Sequence, residues 1–342
     1  MIAIGVDTHK QSLAACAVNE LGLAVAERSF GNDTKGHGAL LRWAAEFRSR
    51  RFGLEGASNF GAGLTRALTE AGEDVREVPA ILTRRERRRT GRAGKSDPID
   101  ALAVARVVAR EPGLPPARAE NRARDLKVLV DYRDQLIYER TRTGNRLHAD
   151  LQILAPGYLG RIRRLVTKTQ LRDARELLRS TPGVRAELAL MRLGRLEALD
   201  REIVELKCRI AAMIEASGTS LTTITGLGPI TAAKLLGEAG DIRRFRSKAA
   251  FARAGGTAPI PASSGQTQRH RLSRGGNRQL NRALHTVALV QARVDPRAIA
   301  YLERKRAEGK TRAEAIRCMK RHLANVVFAV MVDDVSRGVL DT

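Results

Sequence analysis

The stretch MIAIGVDTHKQSLAACAVNELGLAVAERSF, residues 1–30, decides the fold. It holds three strand-like segments with no helix between them: Ile2 to Val6, Leu13 to Val18 and Ala24 to Phe30. The intervening residues are hairpin-like, with Asn19 and Gly22 as turn formers. Beyond them a helix is expected over 36–49, carrying Leu40, Leu41, Ala44 and Phe47 on one face. Phe52-Gly53-Leu54 reads as a strand ending at Glu55, Gly61 to Ala71 as a helix, and Val75 to Val78 as a fifth strand closed by Pro79. Five strands in this order, three of them meandering before the first helix, suit a ribonuclease-H arrangement better than a doubly wound sheet.

The expected class is therefore α/β at the N-terminus and mainly α elsewhere, in three regions: 1–112, 113–217 and 218–342. The middle region is helical and highly charged. Leu196, Leu199, Ile203, Leu206, Ile210 and Met213 recur at alternating spacings of three and four, a heptad seam. An intramolecular helical hairpin with Leu126 to Leu154 and a dimerising coiled coil both satisfy that seam. Pro156-Gly157 and Pro182-Gly183 break the helices.

Composition narrows the function. The net charge is +24, from 61 Lys and Arg against 37 Asp and Glu, so the chain attracts phosphate and gains affinity by releasing counterions from nucleic acid. Apolar residues at 43% are ample for real cores. Aromatics at 4% argue against a base-stacking platform, leaving Arg and Lys on backbone phosphates as the binding mode. Cys16, Cys208 and Cys318 are too scattered for a zinc site or a disulfide framework, which fits a reducing cytoplasm. No basic leader precedes the first apolar stretch, so no signal peptide is expected. The longest apolar run, Leu323 to Val332, contains Asn325 and is too short to span a bilayer. A soluble cytoplasmic protein is expected, with no membrane partner.

Against this basic background four acids stand out: Asp7, Glu55, Asp97 and Asp100. Asp7 and Glu55 each follow a strand. Ser96-Asp97-Pro98-Ile99-Asp100 reads as a helix start, with Asp97 at the cap, Pro98 in the first turn and both acids on one side. Carboxylates converging from separate elements suit hard divalent ions, Mg²⁺ or Mn²⁺, next to a bound phosphodiester. His9 and Lys10 read as phosphate contacts or surface residues. Thr83 to Lys95, with Arg84, Arg85, Arg87 and Arg88, is basic and Gly-punctuated, lacks apolar periodicity and reads as a phosphate-contacting loop.

Ile224-Thr-Gly226-Leu-Gly228-Pro reads as the turn of a helix-hairpin-helix, in which Gly226 and Gly228 let backbone amides grip a phosphate. Residues 254–285, AGGTAPIPASSGQTQRHRLSRGGNRQLNRALH, place Ser263-Ser264-Gly265 among Arg269, His270, Arg271 and Arg274, ahead of a helix beginning near Asn277. Such a serine suits nucleophilic attack on phosphorus with arginines stabilising the developing charge, and it equally suits a polar turn.

GVDTHK (5–10), LEGAS (54–58), KSDPIDA (95–101), ITGLGPITA (224–232) and PASSG…LSRGGNRQLNRALH (261–285), in this order, resemble the DEDD transposases of the IS110 (IS-one-ten) insertion-sequence family, described as bridge-RNA-guided recombinases. The resemblance implies a RuvC-like N-terminal domain with Asp7, Glu55, Asp97 and Asp100 as its acidic tetrad, a coiled-coil middle and a C-terminal transposase domain. It implies that Ser264, or its neighbour Ser263, forms a covalent 5′-phosphoserine link to DNA. It also implies a structured non-coding guide RNA, DNA substrates at the element ends and target, and a dimer or tetramer with a site shared between subunits. LSRGGN stands where many relatives have an ISKxG-like stretch, which marks a subgroup difference at Ser273 and Arg274. The competing functions are a junction-resolving nuclease in which water attacks, and a non-catalytic architectural DNA-binding protein.

Overall fold

The computed structural model describes residues 1–57, 59–89, 97–117, 122–261, 270–271 and 275–339. They form two compact units, Met1–Arg124 with Asp241–Ser247, and Asp125–Gly240 with Lys248–Leu340.

In the first unit β1 (Ile2–Thr8), β2 (Ser12–Val18), β3 (Ala24–Gly31), β4 (Arg50–Leu54) and β5 (Val75–Glu77) make one sheet in the order β3-β2-β1-β4-β5. The β1–β2 and β2–β3 pairs are antiparallel, while β1–β4 and β4–β5 are parallel. This is the ribonuclease-H-like order expected from the N-terminal meander. On one face, α1 (Thr34–Ala44) and α2 (Ala62–Glu70) cover Ile4, Val6, Leu13, Phe52 and Leu54, with Leu40, Trp43, Leu64 and Leu68 completing the core. On the other face α4 (Asp97–Arg110) lays Ala101, Val104, Ala105 and Val108 over Ala3, Ala14, Cys16 and Val18. Burial on both faces explains why β1 and β2 read as continuous apolar runs and not as alternating strands.

The expected loop over 83–95 is corrected in its first half. Residues 83–89 belong to α3 (Ala80–Arg89). Arginine is a good helix former, and the helix has a buried side that apolar periodicity does not reveal: Thr83 and Glu86 are covered. Glu86 accepts a hydrogen bond from Arg110 Nη1 at 2.7 Å.

In the second unit α5 (Arg122–Leu154) and α7 (Val184–Ser217) run antiparallel, with α6 (Lys168–Arg179) between them in sequence. Arg140 pairs with Asp200, Arg195 with Glu139 at 2.9 Å, and Asp150 with both Arg185 and Arg192. Leu147, Leu151, Tyr158, Ile162, Leu193 and Leu196 form the core between them. Within the chain, the helix that carries the heptad seam forms a helical hairpin with α5. Leu196, Leu199 and Ile210 are buried, while Ile203, Leu206 and Met213 are only half-covered. Gly157 and Gly183 take positive φ where Pro-Gly breaks were expected.

Then come α8 (Pro229–Ala239), α9 (Lys248–Ala254), β6 (Ile260–Pro261), β7 (His270–Arg271), α10 (Arg278–Val294), α11 (Pro296–Ala307) and α12 (Arg312–Ser336). The apolar run at Leu323 lies in α12, with Leu323, Ala324, Val327 and Met331 buried. Among the described residues no helix is long and apolar enough to cross a membrane.

Candidate active site

Two glycines set the geometry of the acidic site. Gly5 of β1 and Gly53 of β4 lie opposite each other in the parallel register, under α4. A Cβ on Gly5 would collide with the backbone of Ala101 and Ala105, lying 2.7 Å from the Ala105 Cα. A Cβ on Gly53 would collide with Val108 and lie 3.0 Å from Val78 Cγ2. Bare backbone here lets α4 lie directly on the sheet, so the start of that helix, at Asp97, comes to the end of β1.

Asp7 lies one residue inside the end of β1, one step past the Val6–Leu54 pair. Glu55 holds the matching place after β4. Two acids thus leave the same end of adjacent parallel strands, where open α/β sheets gather ligands. The hydroxyl of Thr8 donates to the Glu55 carbonyl oxygen at 3.2 Å and ties the two strand ends together.

His9 joins this group. Its Nε2 is 3.2 Å from Asp7 Oδ2 and 3.1 Å from Asp97 Oδ1. Asp7 Oδ2 and His9 Nε2 are covered atoms, and neither makes a hydrogen bond with a described residue. The contacts are close enough for charge pairing but not aligned for hydrogen bonding. Burial pushes the Asp7 carboxyl above its ordinary range; His9 pulls it down, and Asp100, Asp97 and Glu55 each push it further up. The other three acids named from the sequence are therefore all within electrostatic reach of Asp7. Asp100 is buried and takes an ion pair from Arg87 on α3.

A donor set of this kind fits a divalent cation. Asp7, His9 and Asp97 offer one donor atom each within 4.8 Å of one another. A covered carboxylate oxygen without a hydrogen bond, crowded by like charge, is stabilised by a cation. The Asp97 side chain is 54% exposed and the Asp7 side chain 15%, so the cluster is open on one side.

The remaining expected residues scatter. Lys10, Arg84, Arg85 and Arg88 are exposed, whereas Arg87 turns to Asp100. Gly226 has φ +81°, and a Cβ there would lie 3.0 Å from Val290, so the turn requires glycine. Gly228 caps α8 with Pro229 in the first turn and nothing within 4 Å of its Cβ position, leaving that end open. Arg271 falls in β7, while Ser263, Ser264, Arg269 and Arg274 lie outside the described residues.

What frames the serine stretch is visible. Ile260 pairs with Arg271 and Pro261 with His270, so β6 and β7 bring its flanks together. Below them Gly255-Gly256 packs against Gly275-Gly276: a Cβ on Gly256 would lie 2.7 Å from the Gly275 oxygen, and one on Gly276 2.6 Å from the Ala254 oxygen. The Asn281 amide donates to the Gly255 and Gly256 oxygens at 2.9 and 3.0 Å, and buried Lys320 donates to Asn281 Oδ1 at 2.7 Å.

Sequence reasoning missed His9 as part of the cluster and Gly5 as its spacer. The adjacency of Asp7 and His9 was the only signal for the first, and nothing in the sequence marked the second.

Comparison with known proteins shows the family. A family model described as Transposase matches residues 4–156, and one described as Transposase IS116/IS110/IS902 family matches residues 218–303. The 43.6 kDa protein of insertion element IS110 from Streptomyces coelicolor is 38% identical over 141 residues, covering 40% of this chain and 35% of that protein. The 42 kDa protein of insertion element IS900 from Mycobacterium paratuberculosis is 26% identical over 383 residues, covering 96% of this chain and 95% of that protein. Among solved structures, T. thermophilus RuvC in complex with Holliday junction substrate is similar at 17% identity, over 34% of this chain and 99% of that chain, with a TM-score of 0.29. Both the acidic N-terminal part and the Gly-rich C-terminal part are matched as transposase, and a relative aligns over nearly the whole length; the chain belongs to the IS116/IS110/IS902 family of transposases.

Proposed function

We propose that this chain moves its own insertion sequence, cutting DNA at the element ends and at a target and rejoining the strands. The observation that carries this reading is the meeting of Asp7, Glu55, Asp97 and Asp100 at one end of the sheet in a chain of net charge +24. A divalent cation at Asp7, Glu55, Asp97 and Asp100, Mg²⁺ or Mn²⁺, would neutralise charge on a scissile phosphate.

The chain's own groups do the rest. Ser264 (or Ser263) attacks phosphorus through Oγ; the Oγ–P bond forms, the P–O3′ bond breaks, and the 3′ oxygen leaves with a proton. The product is a 5′-phosphoserine link, which the reverse attack by another 3′-hydroxyl resolves. Arg269, Arg271 and Arg274 offset the charge that develops on the phosphoryl oxygens. Lys10, Arg84, Arg85 and Arg88 hold backbone phosphates, Arg87 orients Asp100, and the turn at Gly226 and Gly228 presents the α8 amides to a phosphate. In this reading residues 1–112 supply the acids, 113–217 a helical spacer that pairs subunits, and 218–342 the serine. The working form is a dimer or tetramer on DNA in the nucleoid, and a structured non-coding RNA guides it, held by the same phosphate-directed cations.

The test is incubation of the full chain with Mg²⁺, guide RNA and a DNA carrying the element end. A protein–DNA adduct that survives denaturing electrophoresis, and is lost in a Ser263→Ala, Ser264→Ala double variant, is the expected result. Cleavage without an adduct, tolerant of both serine changes and abolished by Asp7→Asn, would replace this mechanism with attack by water.

A further inference from the structure

The acid cluster contains a nitrogen donor. His9 Nε2 lies between Asp7 Oδ2 and Asp97 Oδ1, 3.2 and 3.1 Å away, and makes no hydrogen bond with a described residue. Its backbone is fixed from both sides. The His9 amide donates to the Ser12 oxygen at 2.9 Å, closing the β1–β2 hairpin. The His9 carbonyl accepts from Asn32 Nδ2 at 2.7 Å, and that amide also reaches the Phe60 oxygen at 2.9 Å. Asn32 is itself held, since its Oδ1 lies 2.9 Å from His37 Nε2. The segment that carries the imidazole is thus set by three separate parts of the chain.

We propose that His9 is a ligand of the bound cation through Nε2, making the site a mixed imidazole–carboxylate centre that takes Mn²⁺ in preference to Mg²⁺. The inference rests on reading the acidic cluster as a cation site and adds a donor to it. Magnesium is a hard ion that prefers oxygen and keeps its water, whereas imidazole nitrogen favours first-row transition ions. A histidine in direct reach of two carboxylates therefore shifts selectivity away from Mg²⁺. As a ligand it adds a donor without adding negative charge, which suits a site where Asp7 is already crowded by three other carboxylates.

The test uses the full chain and Mn²⁺ alone, read by electron paramagnetic resonance. Loss of the free-ion signal on titration gives the affinity, and electron-spin-echo modulation by ¹⁴N reports a directly bound imidazole. The expected result is one Mn²⁺ site that vanishes in Asp7→Asn, shows ¹⁴N modulation in the unaltered protein, and weakens roughly tenfold or more in His9→Ala with the modulation gone. Mg²⁺ should displace Mn²⁺ only at a large excess. An Asp7-dependent Mn²⁺ signal without ¹⁴N modulation would overturn the role of His9 while leaving the acid site intact. Absence of any Asp7-dependent Mn²⁺ binding would overturn both. The unaltered protein alone yields the deciding spectrum, so a His9 variant that fails to fold does not blunt the test.

Discussion

Gly5 shows how a residue without a side chain builds a site. Helix α4 rests on its bare backbone, and the helix start carries Asp97 and Asp100 to Asp7. Gly5→Ala forces a methyl into the backbone of Ala101 and Ala105, which cannot rotate away. Gly53→Ala meets side-chain methyls, of Val108 and Val78, which give more readily than backbone. Overpacking of this kind costs about 1–3 kcal/mol, and Gly5→Ala belongs at or beyond the upper end. The expected outcome is that Gly5→Ala lowers the urea midpoint more than Gly53→Ala and weakens divalent-cation binding, because the acids of α4 move away from Asp7. Equal midpoints with unchanged metal affinity would refute the spacer role. At this scale the sequence was legible where charge carried the signal. Asp7, Glu55, Asp97 and Asp100 could be named because a carboxylate at a strand end or helix start is conspicuous in a basic chain. Gly5 and His9 could not, because alternation along a strand does not say which residue a later helix will cross, and a histidine next to an aspartate has no periodic signature.

Elements were legible in proportion to their apolar content. The three-strand meander at 2–31 and the Pro-Gly breaks at 157 and 183 follow from local patterns. Helix α3 did not, because its buried positions are Thr83 and Glu86 and its partners, Asp100 and Arg110, lie well along the chain. The same blind spot hides Asp334. Near the end of α12 this carboxylate is fully buried, accepting from Thr219 Oγ1 at 2.7 Å, from the Ser220 amide at 3.0 Å and from Arg337. It pins the short 3₁₀ turn Ser220–Thr223 just ahead of the Gly226 turn. Asp334→Ala leaves a buried hydroxyl and an amide without their acceptor and should cost about 3 kcal/mol in denaturant unfolding of the full chain. Asp334→Asn keeps part of the set and should cost less. If the two variants unfold at the same midpoint as the unaltered protein, Asp334 is not an anchor of that turn.

For the whole molecule, a net charge of +24 makes electrostatics the first determinant of partner choice. Many arginines are already spent inside the fold: Arg87 on Asp100, Arg110 on Glu86, Arg140 on Asp200, Arg192 on Asp150. The exposed Arg84, Arg85 and Arg88 on α3 have no ion pair among the described residues and remain for phosphate. Each phosphate neutralised contributes about 0.9 to the slope of log affinity against log salt on duplex DNA. With six to ten contacts, affinity should fall roughly 10³- to 10⁵-fold between 50 and 200 mM salt. Replacing Arg84, Arg85 and Arg88 together by alanine removes up to three contacts. The slope should then become shallower by about 2.7, and the weakening should be similar on unrelated sequences, since phosphates carry no sequence information. Fluorescence anisotropy of the full chain on two unrelated duplexes, titrated across salt, measures both quantities. A slope left unchanged by the triple variant would remove α3 from the nucleic-acid surface. A loss confined to one sequence would mean that these arginines read bases, which their clustering on one short helix beside the acids does not suggest.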